Sequence, residues 1–507
     1  MLFLFFVPLQ PKFTQIMRQT ILWGLLILTC SLSAQNDAFE AFRKQQAEKF
    51  KQTKDNQQAQ YDAFRKRANE QYARFMREPW TAFDEQQEDT VRQEPAMPPV
   101  IMDEAQTLTS EPTAAIAVSS EVEVLPAPVA SPEPIAPVKP QNNPAKMVSI
   151  SYFGTIITIG FPADENLHLP AVDENAIADA WIELSDSRYD ITVSTALRAR
   201  KVNTLCDWSY MKMLEAITQK RYGKTNEAVL VQAFLMTQSG YRIRLGMGND
   251  KLYMLVASLY DIFDFRYFLL DDTKYYNVSD ERTSRMFISQ AKFDKEQSIS
   301  LQIKELPLLN SEPTAKRTLT SEKGLSSVVS LNQNMIDFFH AYPQACYNGN
   351  QSTRWVAYAN TPLEEEVRSM LYPPLQRAIH GMSEREAAGL LLNWVQTAFE
   401  YELDDKVWGS DRAFFAQETL FYPFCDCEDR SILFSRLVRD LIGLEVVFIY
   451  YPGHLATAVA FNEDGAGDYV NYKGKKYIIC DPTYIHANIG RTMPGMENRQ
   501  ASIIALQ

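Results

Sequence analysis

Histidine and cysteine are scarce in this chain: five and six among 507 residues. No two histidines stand at metal-ligating spacing, and the one close cysteine pair, Cys425 and Cys427, has no second pair. A zinc site is therefore not expected. Glycine-rich phosphate loops and serine elbows are missing too, so no cofactor is expected. Basic excess is lacking: the formal charge is −13, which argues against a nucleic-acid footprint. Beyond residue 34 no apolar run is long enough to span a membrane.

What is present begins with "MRQTILWGLLILTCSLSAQ" from Met17, where Arg18 precedes an apolar run and then small residues ending at Ala34. This is the layout of a secretory signal peptide over residues 1–34, with Met17 a better start than Met1. Cys30 raises a lipoprotein alternative. Thr29 stands where lipid-modified signals usually have a smaller residue, which favours plain cleavage. The expectation is an exported bacterial protein of the periplasm or cell envelope. Removing the leader leaves Cys206, Cys346, Cys425, Cys427 and Cys480, which fit either two bridges and a free thiol or five reduced thiols.

Residues 35–83 read as an amphipathic helical segment. Tyr61, Phe64, Ala68, Tyr72 and Phe75 share one face, and "AFRK" occurs at both Ala41 and Ala63. That face suits packing on the protein itself or on an envelope partner. Residues 84–146, rich in Pro, Ala and Glu, read as a disordered linker. Globular sequence resumes with a 147–309 α/β block and a 310–507 block. The latter runs helix, helix, loop, helix, and then the strands "LEVVFIYY", "HLATAVAF" and "KKYIICDPTY". Helices followed by an antiparallel sheet give an α+β class. The stretch from Asn226 to Ala257 can be laid over Cys427 to Ala460 with one two-residue gap. Gly240 then meets Gly443, Asn226 meets Cys427, and Lys251 meets His454. Read as a repeat, the 147–309 block is a degenerate copy without thiol or imidazole. Chance likeness of two helix-strand-strand units is the competing account.

One constellation carries chemistry. Cys427 stands where an apolar helix begins, and a helix N-terminus favours a thiolate. His454 opens a strand, and Asp481 ends another before Pro482. A nucleophile, a base and a group orienting that base form a Cys-His-Asp triad in a papain-like order. Asp426, Glu428 and Asp429 surround the thiol with charge that opposes its ionisation. The Cys427 N–H is the default oxyanion donor, with Gln417 or Trp408 as side-chain candidates. Trp394 suits the core, and His168, His340, His380 and His486 suit surface or core positions.

"DCEDRSILFSRLVRDLIGLEVVFIYYPGHLATAV" and "YIICDPTY" resemble the transglutaminase-like cysteine protein superfamily, in particular its exported bacterial members. The resemblance is carried by Pro423 to Tyr484 and fades back to about Thr361. It implies a papain-like domain with Cys427 as nucleophile, His454 as base and Asp481 as its orienting acid. The implied activity is acyl transfer on amide bonds of a protein or peptide substrate, by peptidase, amidase or cross-linking outcomes. Cys425 stands where many relatives have a small residue. Two other readings remain: a non-catalytic envelope scaffold built on such modules, and a redox protein using Cys425 and Cys427.

Overall fold

The computed structural model describes residues 36–87, 98–102, 114–116, 118–122, 130–136, 138, 145–163, 166–187, 189–279, 281–496 and 501–506. The leader read over residues 1–34, with Cys30, lies outside them. Two compact units result, residues 1–64 and 65–507. The described residues of the first are helical and form the start of α1 (Asn36–Met76). In the second unit, the last turns of α1 bury Asn69, Tyr72, Ala73 and Met76, while Phe75 stays more than a third exposed. Tyr72 stacks between Trp181 and Phe293. The buried stripe is thus rotated from the expected one, because Asn69 is drawn inward to accept from Trp181 Nε1 at 3.0 Å and Gln238 Nε2 at 2.9 Å.

The expected disordered linker is corrected wherever it is described. After β1 (Thr81–Asp84), β2 (Val100–Ile101) and β3 (Val118–Val122) add to structure formed far downstream. Ile135 N donates to Gln238 O at 3.2 Å. Strand addition uses main-chain hydrogen bonds, so it needs no amphipathic periodicity. A composition reading is blind to it.

Next come the hairpin β4 (Ala145–Tyr152) and β5 (Thr155–Pro162) and four helices, the last being α2 (Asn226–Gln238). The strands β6 (Ile243–Gly248), β7 (Lys251–Ala257), β8 (Arg266–Leu270), β9 (Thr273–Asn277) and β10 (Arg285–Ile288) follow. They form a sheet in the order β1-β10-β6-β7-β9-β8, antiparallel throughout. The C-terminal block provides α3 (Glu365–Ile379), α4 (Glu384–Thr397) and α5 (Cys427–Leu441). Its strands are β11 (Glu445–Tyr451), β12 (His454–Ala460), β13 (Tyr469–Tyr472), β14 (Lys475–Cys480), β15 (Tyr484–Ile485) and β16 (Ala501–Ala505). The second sheet runs β3-β16-β11-β12-β14-β13.

The two sheets therefore match position by position in order and connection. In each, a helix leads into an antiparallel pair, a hairpin extends one side, and a later strand covers the other. They differ at the outer edge: β1 is antiparallel to its neighbour, whereas β3 runs parallel to β16. Gly240 and Gly443 end the corresponding helices with φ of 93° and 79°, a region that favours residues without a Cβ.

One continuous apolar core runs through both blocks, from Tyr72 to Ile504. The expected boundary at residue 309 is thus no break in packing: Phe153 meets Phe338 edge-on, and Tyr342 Oη donates to Leu301 O at 3.0 Å. β12 is buried along its whole length, as a central strand covered on both faces must be, which is why it reads as an uninterrupted apolar run. Against it lie Ile432, Leu433, Phe434, Leu437 and Val438 of α5, all fully buried. Each such side chain contributes about 1.5–3 kcal/mol by leaving water. Mixed helix and antiparallel sheet agree with an α+β class. Among the described residues no helix is long and apolar enough to cross a membrane.

Candidate functional site

Cys427 is the first residue of α5, and the Asp429 carboxylate reaches back to accept from Asp426 N at 3.3 Å. Two bonds tie this helix to the start of β12. Leu455 N donates to Cys427 Sγ at 3.4 Å, and Ser431 Oγ donates to Leu455 O at 2.9 Å. His454, one residue earlier, pairs with Tyr451 across the β11–β12 hairpin. Cys480 pairs with Thr457 on the other side of β12, which delivers Asp481 to His454. His454 Nε2 and Asp481 Oδ2 lie 2.8 Å apart. Asp481 Oδ1 accepts from Thr483 N at 2.9 Å and Tyr484 N at 3.2 Å.

Asp481 thus engages one ring nitrogen and leaves the other. Among the described residues His454 Nδ1 has no hydrogen-bond partner. Cys427 and His454 are 0% exposed and Asp481 2%, so the three sit beneath the surface. The thiol donates to Glu428 Oε2 at 3.4 Å. Burial, then Glu428, then Asp426 push the Cys427 thiol well above its ordinary value. The acids flanking the nucleophile position therefore oppose ionisation, as their charge implies.

Sequence reasoning missed what lies behind those acids. One carboxylate oxygen from each of Asp404, Asp411 and Glu428 falls within 4.8 Å of the others, all buried. Burial and the neighbouring Glu428 raise Asp404 to about 8, and the buried carboxyls of Asp426 and Asp429 are likewise raised well above the ordinary range. Arg354 neutralises part of this charge through Asp411 at 2.5 Å. All-oxygen donors of this kind suit a hard cation such as calcium or magnesium. Asp404 opens a short helix (Asp404–Val407) and Asp411 follows it, with no motif spacing, so no signal in the chain marks them.

Gln417 is corrected as an oxyanion donor. Its Oε1 accepts from Glu364 N at 3.1 Å and its Nε2 donates to the Glu364 carboxylate, which ties up both ends of the amide. Trp408 packs edge-on to Phe414 and Tyr422. Trp394 is fully buried against Phe399, as expected of a core residue. The other histidines stand apart from the site: His486 pairs with Glu322 at 2.6 Å, and His168 lies at the surface near Glu227. Cys206, Cys346, Cys425, Cys427 and Cys480 are all free thiols. Burial lifts Cys425 to about 11, and its sulfur contacts Glu400 O at 3.7 Å.

The first sheet repeats the hydrogen bond that holds the sulfur. Leu252 N donates to Asn226 Oδ1 at 3.0 Å, with Asn226 opening α2 as Cys427 opens α5. Lys251 takes the place of His454 and pairs with Glu281 at the surface. Comparison of the chain with family models, curated proteins and solved structures finds no match to any of them.

Proposed function

We propose that this protein is an exported, transglutaminase-like cysteine enzyme that transfers acyl groups from amide bonds of envelope proteins or peptides. The observation that carries this reading is the His454 ring, held through Nε2 by Asp481 at 2.8 Å with Nδ1 left unpartnered. Its neighbour Leu455 donates to the sulfur of Cys427. The unpaired nitrogen and the thiol thus belong to adjacent elements, the start of β12 and the start of α5. They form no hydrogen bond with each other, the thiol donating instead to Glu428, and catalysis needs them brought together.

In this mechanism Nδ1 takes the thiol proton and Sγ attacks the amide carbonyl carbon. The tetrahedral oxyanion is met by the Cys427 N–H at the first turn of α5. As the C–N bond breaks, the imidazolium returns its proton to the departing amine, and a thioester remains. Water, activated by the same nitrogen, releases the acid; an amine in its place gives a cross-link. Asp481 keeps the ring in the tautomer with hydrogen on Nε2 throughout. Because the three side chains are buried, substrate entry requires a local opening.

The same burial, and the raised thiol, favour a second reading: a non-catalytic envelope scaffold whose second sheet retains a silent triad. Alkylation of Cys427, followed by peptide mass spectrometry in the wild type and in His454→Ala, separates the two. The enzyme reading expects labelling in the wild type that falls about 10²- to 10⁴-fold without the base. Equal rates in both proteins leave the scaffold.

A further inference from the structure

Gln396 lies on α4 and is 2% exposed. Its side-chain nitrogen, with two hydrogens, lies within hydrogen-bond distance of three main-chain carbonyls of the segment after β14: Asp481 at 3.0 Å, Tyr484 at 2.8 Å and Ala487 at 3.2 Å, one hydrogen being shared. The end of the same helix also grips α5. Arg430, three residues beyond Cys427 and fully buried, donates through Nη1 to Gln396 O at 3.1 Å and through Nη2 to Phe399 O at 2.8 Å. One residue thus meets the turn that carries Asp481 with its side chain and the helix that carries Cys427 with its backbone.

We infer that Gln396 is a positioning residue, one that sets Asp481 against His454 in register with Cys427; this rests on the acyl-transfer reading. In the segment from Asp481 to Ala487, which includes β15, the three carbonyls met by Gln396 are buried. Inside the turn only Thr483 N and Tyr484 N brace the Asp481 carboxylate. Without the Gln396 amide the three carbonyls lose their shared donor; Tyr484 O keeps the N–H of Ala487 at 3.0 Å, while Asp481 O and Ala487 O lose a buried donor, a loss that drives the backbone to rearrange. Asp481 moves with that backbone. Its bond to Nε2 then no longer fixes the ring tautomer. The geometry carries the role because a core-filling residue at this position needs no donor, whereas Gln396 directs one nitrogen at three acceptors of a single segment.

The test uses the full chain with Gln396→Met and Asp481→Ala, singly and together. Gln396→Met keeps the length and removes the donor. Two quantities are read: the rate of Cys427 labelling by methyl methanethiosulfonate, and the ¹⁵N shifts of the His454 ring. The expected result is a labelling rate lowered about tenfold to a hundredfold by Gln396→Met, the scale of a displacement on the order of 1 Å at a reacting centre. Gln396→Met then adds nothing in the Asp481→Ala background, and the His454 nitrogens shift toward a mixture of tautomers. Independent, multiplying effects with unchanged ring signals overturn the inference and leave Gln396 a packing residue. Should Gln396→Met fail to fold, Gln396→Asn, which keeps the amide one methylene short, replaces it under the same two criteria. A wild-type rate unmoved by Asp481→Ala overturns the acyl-transfer reading itself, a result distinct from either outcome for Gln396.

Discussion

Asn226 and Cys427 occupy the same place in two sheets of one strand order: each opens a helix, and each accepts the N–H of a leucine just inside the adjoining strand, at 3.0 Å and 3.4 Å. The donor is common to both and the acceptor differs. The amide oxygen at this place is satisfied by that bond, whereas the sulfur also donates to Glu428 Oε2 at 3.4 Å. On the acyl-transfer reading, this exchange of an amide oxygen for a sulfur on a shared scaffold is what separates a site that only packs from one that reacts.

Glu428→Gln removes a carboxylate that accepts from the thiol and opposes its ionisation. The expected outcome is a fall in the apparent pKa of Cys427, with about tenfold more thiolate at neutral pH for each unit gained. The rate of alkylation against pH reads this directly. A slower reaction in the variant would show that Glu428 assists the thiol.

Asp481→Asn keeps the shape of the turn and removes the charge facing Nε2. Leaving a buried polar group mispaired costs about 1–3 kcal/mol, which a shift of the urea midpoint measures. Labelling of Cys427 should slow in the same variant. A variant as stable and as reactive as the wild type refutes the assigned pairing.

The buried carboxyls set a pH dependence of stability. Burial lifts Glu418 from 4.5 to about 7 against the pull of Arg412, and Asp404 rises from 3.8 to about 8. The folded state holds these protons more tightly than the unfolded chain does. Their contribution is therefore complete below about pH 4 and is lost as pH rises through the folded values. Acids with lowered values, such as Glu386 and Glu445, titrate below this window. Scanning calorimetry should find a higher Tm near pH 5.5 than near pH 8.5. The opposite order would mean that the cluster is ionised and neutralised in the folded protein.

The two helix-ending glycines should differ in cost. A Cβ on Gly240 would stand 2.2 Å from Glu133 O, whereas one on Gly443 meets nothing within 4 Å. Gly443→Ala pays only for its positive φ, about 1 kcal/mol. Gly240→Ala must also push back the segment around Glu133, so its loss should be clearly larger. Equal midpoints in urea for the two variants would show that this segment yields freely.

Much of the second sheet was legible in the chain. The strands expected from "LEVVFIYY", "HLATAVAF" and "KKYIIC" occur at Glu445–Tyr451, His454–Ala460 and Lys475–Cys480. Buried strands betray themselves by apolar runs, and His454 and Asp481 sit at their ends. The pairing of His454 with Asp481 followed from strand adjacency. What stayed hidden depends on contacts distant in sequence. β2 and β3 pair through backbone alone, Asp404 and Asp411 reach Glu428 across a loop, and Gln417 is engaged by Glu364, a residue 53 positions away. Gln396 was faintly visible as a polar residue among Leu392, Val395 and Phe399, where a helix face should be apolar. Its acceptors were not.

The parallel pairing of β3 with β16 joins two strands that stand far apart in the sequence, Val118–Val122 and Ala501–Ala505. The second sheet therefore cannot be completed until residues 501–505 are available, however early the strand at residues 118–122 is made. During synthesis that early strand has no partner, and its edge lies open to other chains. Contacts of such long sequence separation slow folding. The strand Ala501–Ala505 is thus the latch that closes the whole sheet, and a chain cut short just before it should keep its helices and still fail to settle.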